Sequence, residues 1–122
     1  RLLGKIPFNQ IESYFKLADI FCLPSVHKSE AFGVVLIEAM SLGCPQVVFN
    51  IKGSGVPWVV LNNKTGLVVE TINSKLLAKK LNLLISDDYL LEELSSQSIK
   101  RYNVLFKKQD MISKTIELYN KI

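Results

Sequence analysis

The sequence of 122 residues predicts an α/β fold in which a parallel sheet is flanked by helices. Short apolar runs bounded by turn residues alternate with longer segments of helical periodicity, as in sheets whose strands are buried on both faces. With 48% hydrophobic residues, the chain has enough apolar side chain to bury a core. We therefore treat residues 1–122 as one domain.

The first part of the chain predicts the end of a strand, a helix and a second strand. Residues 2–3 have the composition of a strand end, and because the sequence does not open on Met, we expect it to be a piece of a longer protein. Asn9 is suited to cap a helix that runs to about residue 16, with Glu12 completing a capping box. The apolar run 18–23 then predicts a buried strand.

The middle of the chain predicts a helix, a strand and a loop. Residues 32–42 have an apolar pattern typical of a buried helix, and Gly43 stands where a C-terminal cap glycine is expected. The run 45–49 predicts a strand, and the segment 52–57, Lys-Gly-Ser-Gly-Val-Pro, predicts a glycine-rich loop.

The last part of the chain predicts one short strand followed by helices. A turn at residues 62–66 leads into a strand at 67–69. Helical periodicity covers residues 74–86, and Asp87 is suited to cap a further helix that runs to about residue 106. Residues 111–122 are amphipathic again.

Charge and cysteine content exclude several classes of function. Fifteen Lys and Arg against eleven Asp and Glu give a net charge of +4, with the basic residues concentrated at and after Lys75. This excess is too small for a nucleic-acid-binding surface, although it is compatible with weak contact with anionic lipid; solvated helix faces are the preferred explanation. Cys22 and Cys44 have no partners at metal-ligand spacing, which predicts buried, reduced thiols in a cytosolic protein.

Ligands of parallel sheets bind at the carboxyl ends of the strands, which directs attention to the loops after Leu23 and Phe49. At the first of these, Gly33 allows close backbone approach at a helix start, where amide groups and the helix dipole favour an anion. Glu38 is the only charged residue in 34–40, and it would accept from neighbouring hydroxyls, as on a ribose, or face solvent beside Ser41.

The remaining candidates have weaker signals. Glu30 precedes the helix start and is either a favourable helix-start charge or an acceptor for the hydroxyls of a polar ligand. We name five further residues as candidate contacts for a phosphate or an acceptor, although surface-loop roles explain them as well: His27, Lys28, Gly53, Ser54 and Gly55. The sequence supplies neither a metal-ligand cluster nor a catalytic triad.

Taken together, these segments resemble a known family. They read A-D-I-F-C-L-P-S, S-E-A-F-G-V-V-L-I-E-A-M-S-L-G-C-P-Q-V-V, G-S-G-V-P and N-K-T-G-L-V-V. In this order and spacing, from about Gly4 to Val69, they resemble the C-terminal donor-binding domain of family 4 retaining glycosyltransferases, which has a Rossmann-like sheet within the GT-B fold. The most specific signal is the pair Glu30 and Glu38, with seven residues between them.

The resemblance implies roles for the candidate residues. Glu38 would hold the ribose hydroxyls of a UDP- or GDP-sugar, and Glu30 would be the catalytic residue that hydrogen-bonds the transferred hexose. The loop that contains Ile6 would lie against the base. Backbone groups of the helix start would contact the sugar and diphosphate: Ala31, Phe32, Gly33, Val34 and Val35. No metal or other cofactor is expected, since the helix dipole and basic side chains neutralise the leaving group.

The resemblance also implies partners outside this sequence. The expected reaction is transfer to a saccharide or lipid-linked acceptor in surface-polysaccharide synthesis, in the cytoplasm or at the cytoplasmic face of the inner membrane. Two parts of such an enzyme would precede Gly4, namely the loop whose Arg and Lys grip the diphosphate and the N-terminal acceptor domain. We therefore expect residues 1–122 alone to be inactive.

Two alternatives stay open at this point. A non-catalytic module with the same fold would also bind a nucleotide sugar, and a nucleotide-sugar epimerase has a similar architecture, although the spacing of the glutamates favours a transferase. Trp58 stands where many relatives carry Glu, so the role of that position cannot be transferred. Its indole would stack on a sugar or fill the core.

Overall fold

The computed structural model describes all residues from 1 to 122 and contains six helices and three strands. Their bounds in chain order are α1 Phe8–Leu17, β1 Phe21–Leu23, α2 Val34–Ser41, β2 Gln46–Phe49, α3 Val56–Val59, β3 Gly66–Val69, α4 Ser74–Ile85, α5 Asp88–Leu105 and α6 Lys108–Asn120. The alternation of strands and helices confirms the predicted α/β class.

The three strands form one parallel sheet in the order β1-β2-β3. Cys22 is in register with Val47, which is in register with Leu67. All four residues of β2 are buried. Because successive side chains of a strand point to opposite faces, burial of consecutive residues requires cover on both faces of the sheet.

Two apolar clusters provide that cover. On one face, Val48 and Val68 pack with residues of α2 and α3, among them Leu36, Met40 and Val56. On the other face, residues of β2 and β3 pack with α4 and α5, and this second cluster comprises Val47, Phe49, Ile51, Leu67, Val69, Leu84 and Leu94. The first of these clusters fixes the helix α2 against the sheet, and with it the loop that precedes α2.

The end of α2 confirms the prediction for Gly43. This glycine has a φ of +70°. Its N–H donates to the carbonyl of Met40 at 3.0 Å, and the N–H of Cys44 donates to that of Ala39 at 3.0 Å, which is the Schellman pattern of a helix end. A Cβ at this position would lie 2.9 Å from side-chain atoms of Ser95 and Ile99 on α5. The glycine thus ends α2 and allows α5 to pack against it.

The predicted cap at Asp87 is also confirmed, because its carboxylate accepts from the N–H of Leu90 at 2.9 Å. The cap of α4 lies one residue before the predicted helix, where the side chain of Asn73 accepts from the amides of Lys75 and Leu76. Both caps satisfy amides that have no partner within their helix.

Several predicted elements differ from the structure in their first turns. Asn9 does not cap α1, because the helix begins at Phe8 directly after Pro7, and Glu12 pairs with Lys16 at 2.6 Å instead of closing a capping box. The fixed φ of proline ends the extended segment and lets the helix start at once. Residues 2–3 belong to no strand, and Leu2 is fully exposed.

The remaining differences concern β1, α2 and the glycine-rich loop. The strand begins at Phe21 rather than at residue 18, and α2 begins at Val34 rather than at 32. Because β1 is the edge strand of the sheet, Cys22 is half-buried and not buried as predicted. The predicted loop 52–57 ends at Gly55, because α3 begins at Val56 with Pro57 in its first turn. Proline is compatible with that position because the first amides of a helix have no intrahelical acceptor.

Candidate functional site

Two loops meet at the carboxyl ends of the strands. The first loop, residues 24–33, follows β1, and the second loop, residues 50–55, follows β2. The N–H of Gly55 in the second loop donates to the carbonyl of Ala31 in the first loop at 2.6 Å. The structure therefore brings together the two segments that the sequence identified separately.

The first loop enters α2 through a backbone conformation that favours glycine. Gly33 precedes the helix with a φ of +79°, in the left-handed region. A Cβ there would lie 2.6 Å from Cδ1 of Leu36, whose side chain is fully buried. The position thus combines a strained φ with close packing, and both favour glycine.

Backbone amides around this glycine have no acceptor within the chain. The N–H groups of Ala31, Phe32 and Gly33 donate no hydrogen bond to any group of the chain. Those of Val34 and Val35 open the helix and have no intrahelical acceptor. Val34 is 63% exposed, so this end of α2 is open to solvent. Unpaired amides at the positive end of a helix dipole form a favourable environment for an anion.

Glu30 lies in the first loop before these amides. The residue is half-buried, its N–H donates to the carbonyl of His27 at 3.1 Å, and its Oε2 accepts a long hydrogen bond of 3.4 Å from Oγ of Ser25. It lines a cavity of about 360 Å³ formed within the first loop. His27 lines the same cavity, whereas Lys28 does not.

Glu38 lies on α2, four residues and about 6 Å along the helix axis from Val34. It is half-buried, and its carboxylate makes no hydrogen bond within the chain. It lines a groove of about 390 Å³ between α1 and α2, and the other lining residues are Phe8, Asn9, Ile11, Glu12, Phe15, Ser41 and Leu42. The sequence left open whether Glu38 accepts from hydroxyls or faces solvent, and the structure leaves its acceptor oxygens unused.

The other candidate residues differ in exposure and in whether they already make hydrogen bonds within the chain. In the second loop, Oγ of Ser54 accepts from the N–H of Val56 at 3.1 Å, so the hydroxyl supports α3. Gly53 is exposed with a φ of +80° and its N–H has no acceptor. Lys28 is exposed, and Ile6 is half-buried in the segment before α1.

A cluster of aromatic rings beside the first loop was not predicted. The ring of Trp58 lies 6.0 Å from that of Phe32 and 5.5 Å from that of Phe106. Trp58 is 54% exposed, so it does not fill the core. Arg101 lies over Trp58 and Phe106, and burial lowers the pKa of its guanidinium. No local signal in the sequence indicated this cluster, because its members are far apart in the chain.

Neither a metal cluster nor a membrane-spanning helix is present. No three His, Cys, Asp or Glu side chains come together in a way that could hold a metal ion. None of the helices combines the length and the hydropathy needed to cross a bilayer.

Comparison with known proteins gives a consistent result. The sequence profile described as "Glycosyl transferases group 1" matches residues 1–101. The capsular polysaccharide biosynthesis glycosyltransferase CapM of Staphylococcus aureus is 32% identical over 108 residues, which cover 88% of this chain and 27% of CapM.

Solved structures have the same fold. Sucrose-phosphate synthase from Thermosynechococcus elongatus superposes with a TM-score of 0.89 at 25% identity, over 99% of this chain and 29% of that protein. HepE of Anabaena, in complex with UDP and glucose, superposes with a TM-score of 0.85 over 100% of this chain and 32% of its own, and at 22% identity this likeness concerns the fold alone. The chain spans about a quarter of the length of the curated relatives it matches, between 25% and 28%.

Proposed function

The chain belongs to the glycosyl transferases of group 1, and we propose that it forms the donor-binding part of a retaining enzyme that uses a nucleotide sugar. One observation supports this most strongly. Five consecutive backbone amides, residues 31–35, lack an acceptor within the chain at the start of one helix, with Glu30 just before them and Glu38 just after them. A nucleoside-diphosphate sugar carries its two phosphates between the hydroxyls of the ribose and those of the transferred sugar, which matches this order of donors and acceptors.

Glu38 would bind the ribose of the donor. A half-buried carboxylate without a hydrogen-bond partner loses part of its hydration and gains little in return, so a ligand that supplies two hydroxyl donors would stabilise it. The groove between α1 and α2 offers space beside it. The base, uracil or guanine, would lie towards Ile6 and the start of α1.

The amides of residues 31–35 would bind the diphosphate. In the reaction, the bond between the anomeric carbon and the phosphate oxygen breaks, and negative charge develops on the leaving diphosphate. Preorganised amides at a helix N-terminus stabilise such charge without a metal ion. We therefore propose a metal-independent transfer that requires no other cofactor, with Lys28 near enough in the chain to add positive charge and His27 near enough to donate a hydrogen bond.

Glu30 would contact the transferred hexose on the side of the first loop. In the proposed retaining reaction, the acceptor hydroxyl attacks the face from which the diphosphate leaves, and the departing phosphate oxygen takes the acceptor proton. Glu30 then orients the sugar through hydrogen bonds that strengthen as the sugar becomes positively charged. Its carboxylate has only one long hydrogen bond within the chain, so it has acceptor capacity to spare.

The whole protein would supply the acceptor site through an N-terminal domain. We propose a saccharide or lipid-linked acceptor and a role in surface-polysaccharide synthesis, in line with the similarity to CapM. A cytoplasmic location, with peripheral contact at the inner membrane, would bring the enzyme to lipid-linked acceptors. Residues 1–122 alone are expected to bind the donor and not to transfer it.

Replacing the ribose-binding carboxylate tests this proposal. Glu38→Gln should weaken binding of UDP or GDP by at least tenfold, because an amide accepts hydroxyl protons more weakly than a carboxylate. Glu12→Gln makes the same change on the other wall of the same groove, where the carboxylate pairs with Lys16, and should leave affinity unchanged. Calorimetric titration of both variants with UDP, GDP and ADP measures the difference and identifies the base.

Equal affinity of the two variants would contradict the assignment of Glu38. Measurements on the intact parent protein separate transfer from binding alone. A parent that releases nucleotide and glycosylates an acceptor is a transferase, and one that binds the donor without turnover is a non-catalytic module. An epimerised nucleotide sugar as the product would identify an epimerase instead.

A further inference from the structure

Arg101 joins the end of α5 to the end of α3. Its Nη2 donates to the carbonyl of Trp58 at 2.5 Å, and its Nε donates to the carbonyl of Val59 at 3.1 Å. These are the last two carbonyls of a four-residue helix, and such carbonyls have no intrahelical donor. The planar guanidinium can satisfy both at once, which a lysine cannot do with the same geometry.

The same side chain also holds an aromatic cluster together. The guanidinium carbon lies 5.4 Å from the ring centre of Trp58 and 5.6 Å from that of Phe106. The two rings meet edge to face at 5.5 Å. Trp58 is 54% exposed, so its ring is not fixed by packing in the core. The guanidinium of Arg101 stacked on the ring restrains it instead.

The helix α3 in turn contacts the first loop at two points. At its start, the N–H of Gly55 donates to the carbonyl of Ala31 at 2.6 Å. Near its end, the ring of Trp58 lies 6.0 Å from that of Phe32, directly before Gly33. A helix of four residues has little stability of its own. Its position therefore depends on what anchors it to the rest of the protein.

We propose that Arg101 is a positioning residue for the donor site: it anchors α3 to α5 and thereby holds residues 31–35 in the conformation that binds the diphosphate. The restraint itself exists without ligand, whereas its effect on binding rests on the proposed function. Arg101 makes no hydrogen bond to Glu30 or Glu38 and acts through α3 and through Phe106, whose ring lies 6.5 Å from that of Phe32.

Three variants test this role. Arg101→Met keeps most of the side-chain stem and removes the charge and both hydrogen bonds. Arg101→Lys keeps the charge near the rings but loses the two-pronged contact, so it should rescue part of the effect. Lys100→Met is the matched control, because this exposed neighbour loses the same kind of charge without a contact to α3. Circular dichroism confirms that each variant is folded.

Two measurements need no ligand. Amide hydrogen exchange at Gly55 should be at least tenfold faster in Arg101→Met, intermediate in Arg101→Lys and unchanged in Lys100→Met, because the bond to Ala31 would open more often. Trp58 is the only tryptophan of the chain, so its fluorescence emission reports directly on the cluster. The emission should shift towards that of an indole in water in Arg101→Met.

A third measurement connects the restraint to binding. Affinity for UDP or GDP, whichever the wild type prefers, should fall by about fivefold to tenfold in Arg101→Met, by less in Arg101→Lys and not at all in Lys100→Met. In the intact parent, the loss should appear in KM for the donor and in kcat together, since the misplaced amides bind both the donor and the leaving group.

The outcomes are distinguishable. Wild-type exchange at Gly55 and wild-type emission in Arg101→Met would overturn the proposal. So would faster exchange with unchanged affinity, because the restraint would then have no part in binding. If the wild type binds neither UDP nor GDP while Arg101→Met still accelerates exchange at Gly55, the anchoring of the first loop stands and the proposed donor site fails.

Discussion

The first and second loops lie at the same edge of the sheet, yet they use their amides differently. In the first loop, Glu30 is the only residue whose amide donates to an acceptor within the chain. In the second loop, the amides of Asn50, Ser54 and Gly55 all donate to carbonyls of the chain. One of these carbonyls, that of Ala31, belongs to the first loop.

This difference separates a binding element from its support. Buried or partly buried amides are normally paired, so a run of unpaired ones needs solvent or a ligand. The first loop keeps its donors free at the start of α2, whereas the second loop holds the first loop through the amide of Gly55 and holds α3 through the hydroxyl of Ser54, which accepts from Val56. Glycine content alone would have favoured the second loop as the binding element, because it has two glycines in six residues and the first loop has one in ten.

A pair of glycine substitutions gives the largest expected difference between the loops. Gly33→Ala combines a strained φ of +79° with a Cβ placed 2.6 Å from Leu36, and should lower the free energy of unfolding by roughly 2–4 kcal/mol. Gly53→Ala has a similar φ of +80° but nothing within 4 Å of its Cβ. It should cost only the strain, about 1–2 kcal/mol. Urea unfolding followed by circular dichroism measures both.

The comparison of these two variants isolates packing from backbone strain. If Gly33→Ala costs no more than Gly53→Ala, then Leu36 moves aside without loss and the helix start is less rigid than the structure indicates. In that case the unpaired amides would lack the preorganisation that anion binding requires.

A pair of serine substitutions, one in each loop, should give a smaller difference in the free energy of unfolding than the glycine pair. Ser54→Ala removes the hydroxyl that accepts from the N–H of Val56 at 3.1 Å, and should lower the free energy of unfolding by about 1 kcal/mol. Ser29→Ala changes an exposed hydroxyl of the first loop that makes no hydrogen bond, and should be neutral within about 0.5 kcal/mol. Thermal unfolding of both variants checks the difference, and equal costs would argue against a supporting role of the second loop.

The parts of the fold that were predictable depend on local signals. Gly43 and Asp87 end and begin helices through contacts with residues fewer than six positions away, so the sequence around them contains the whole signal. The meeting of the two loops followed from the parallel sheet, because the carboxyl ends of its strands share one edge. The pair Glu30 and Glu38 was found through its spacing and its resemblance to a family.

The parts that were missed fall into two groups. The helix α3 had a local signal, since Ser54 can accept from an early amide and Pro57 suits a first turn, but the glycines between and before them favoured a loop. The contact between Trp58 and Arg101 joins residues 43 positions apart. The hydrophobic pattern of α5 does not indicate that Arg101 lies beside the end of α3. The environment of Trp58 could therefore be found only from the structure.

The smallest expected difference in the free energy of unfolding comes from removing one side-chain hydrogen bond in each loop. In the second loop, Nδ2 of Asn50 donates to Oε2 of Glu70 at 2.7 Å, and Asn50→Ala should lower the free energy of unfolding by about 0.5 kcal/mol, because the pair is exposed. In the first loop, Oγ of Ser25 donates to Glu30 at 3.4 Å, and Ser25→Ala should change it by less than about 0.3 kcal/mol, because so long a bond contributes little.

The same two variants should also be compared in their affinity for the donor, where Ser25→Ala should have the larger effect. Ser25→Ala leaves the carboxylate of Glu30 without its one partner in the chain, so a donor hydroxyl would meet a less oriented acceptor and affinity should fall by about twofold to threefold. Asn50→Ala should leave affinity unchanged. Loss of affinity in Asn50→Ala with none in Ser25→Ala would show that the second loop, and not the first, contacts the donor, and would reverse the roles assigned to the two loops.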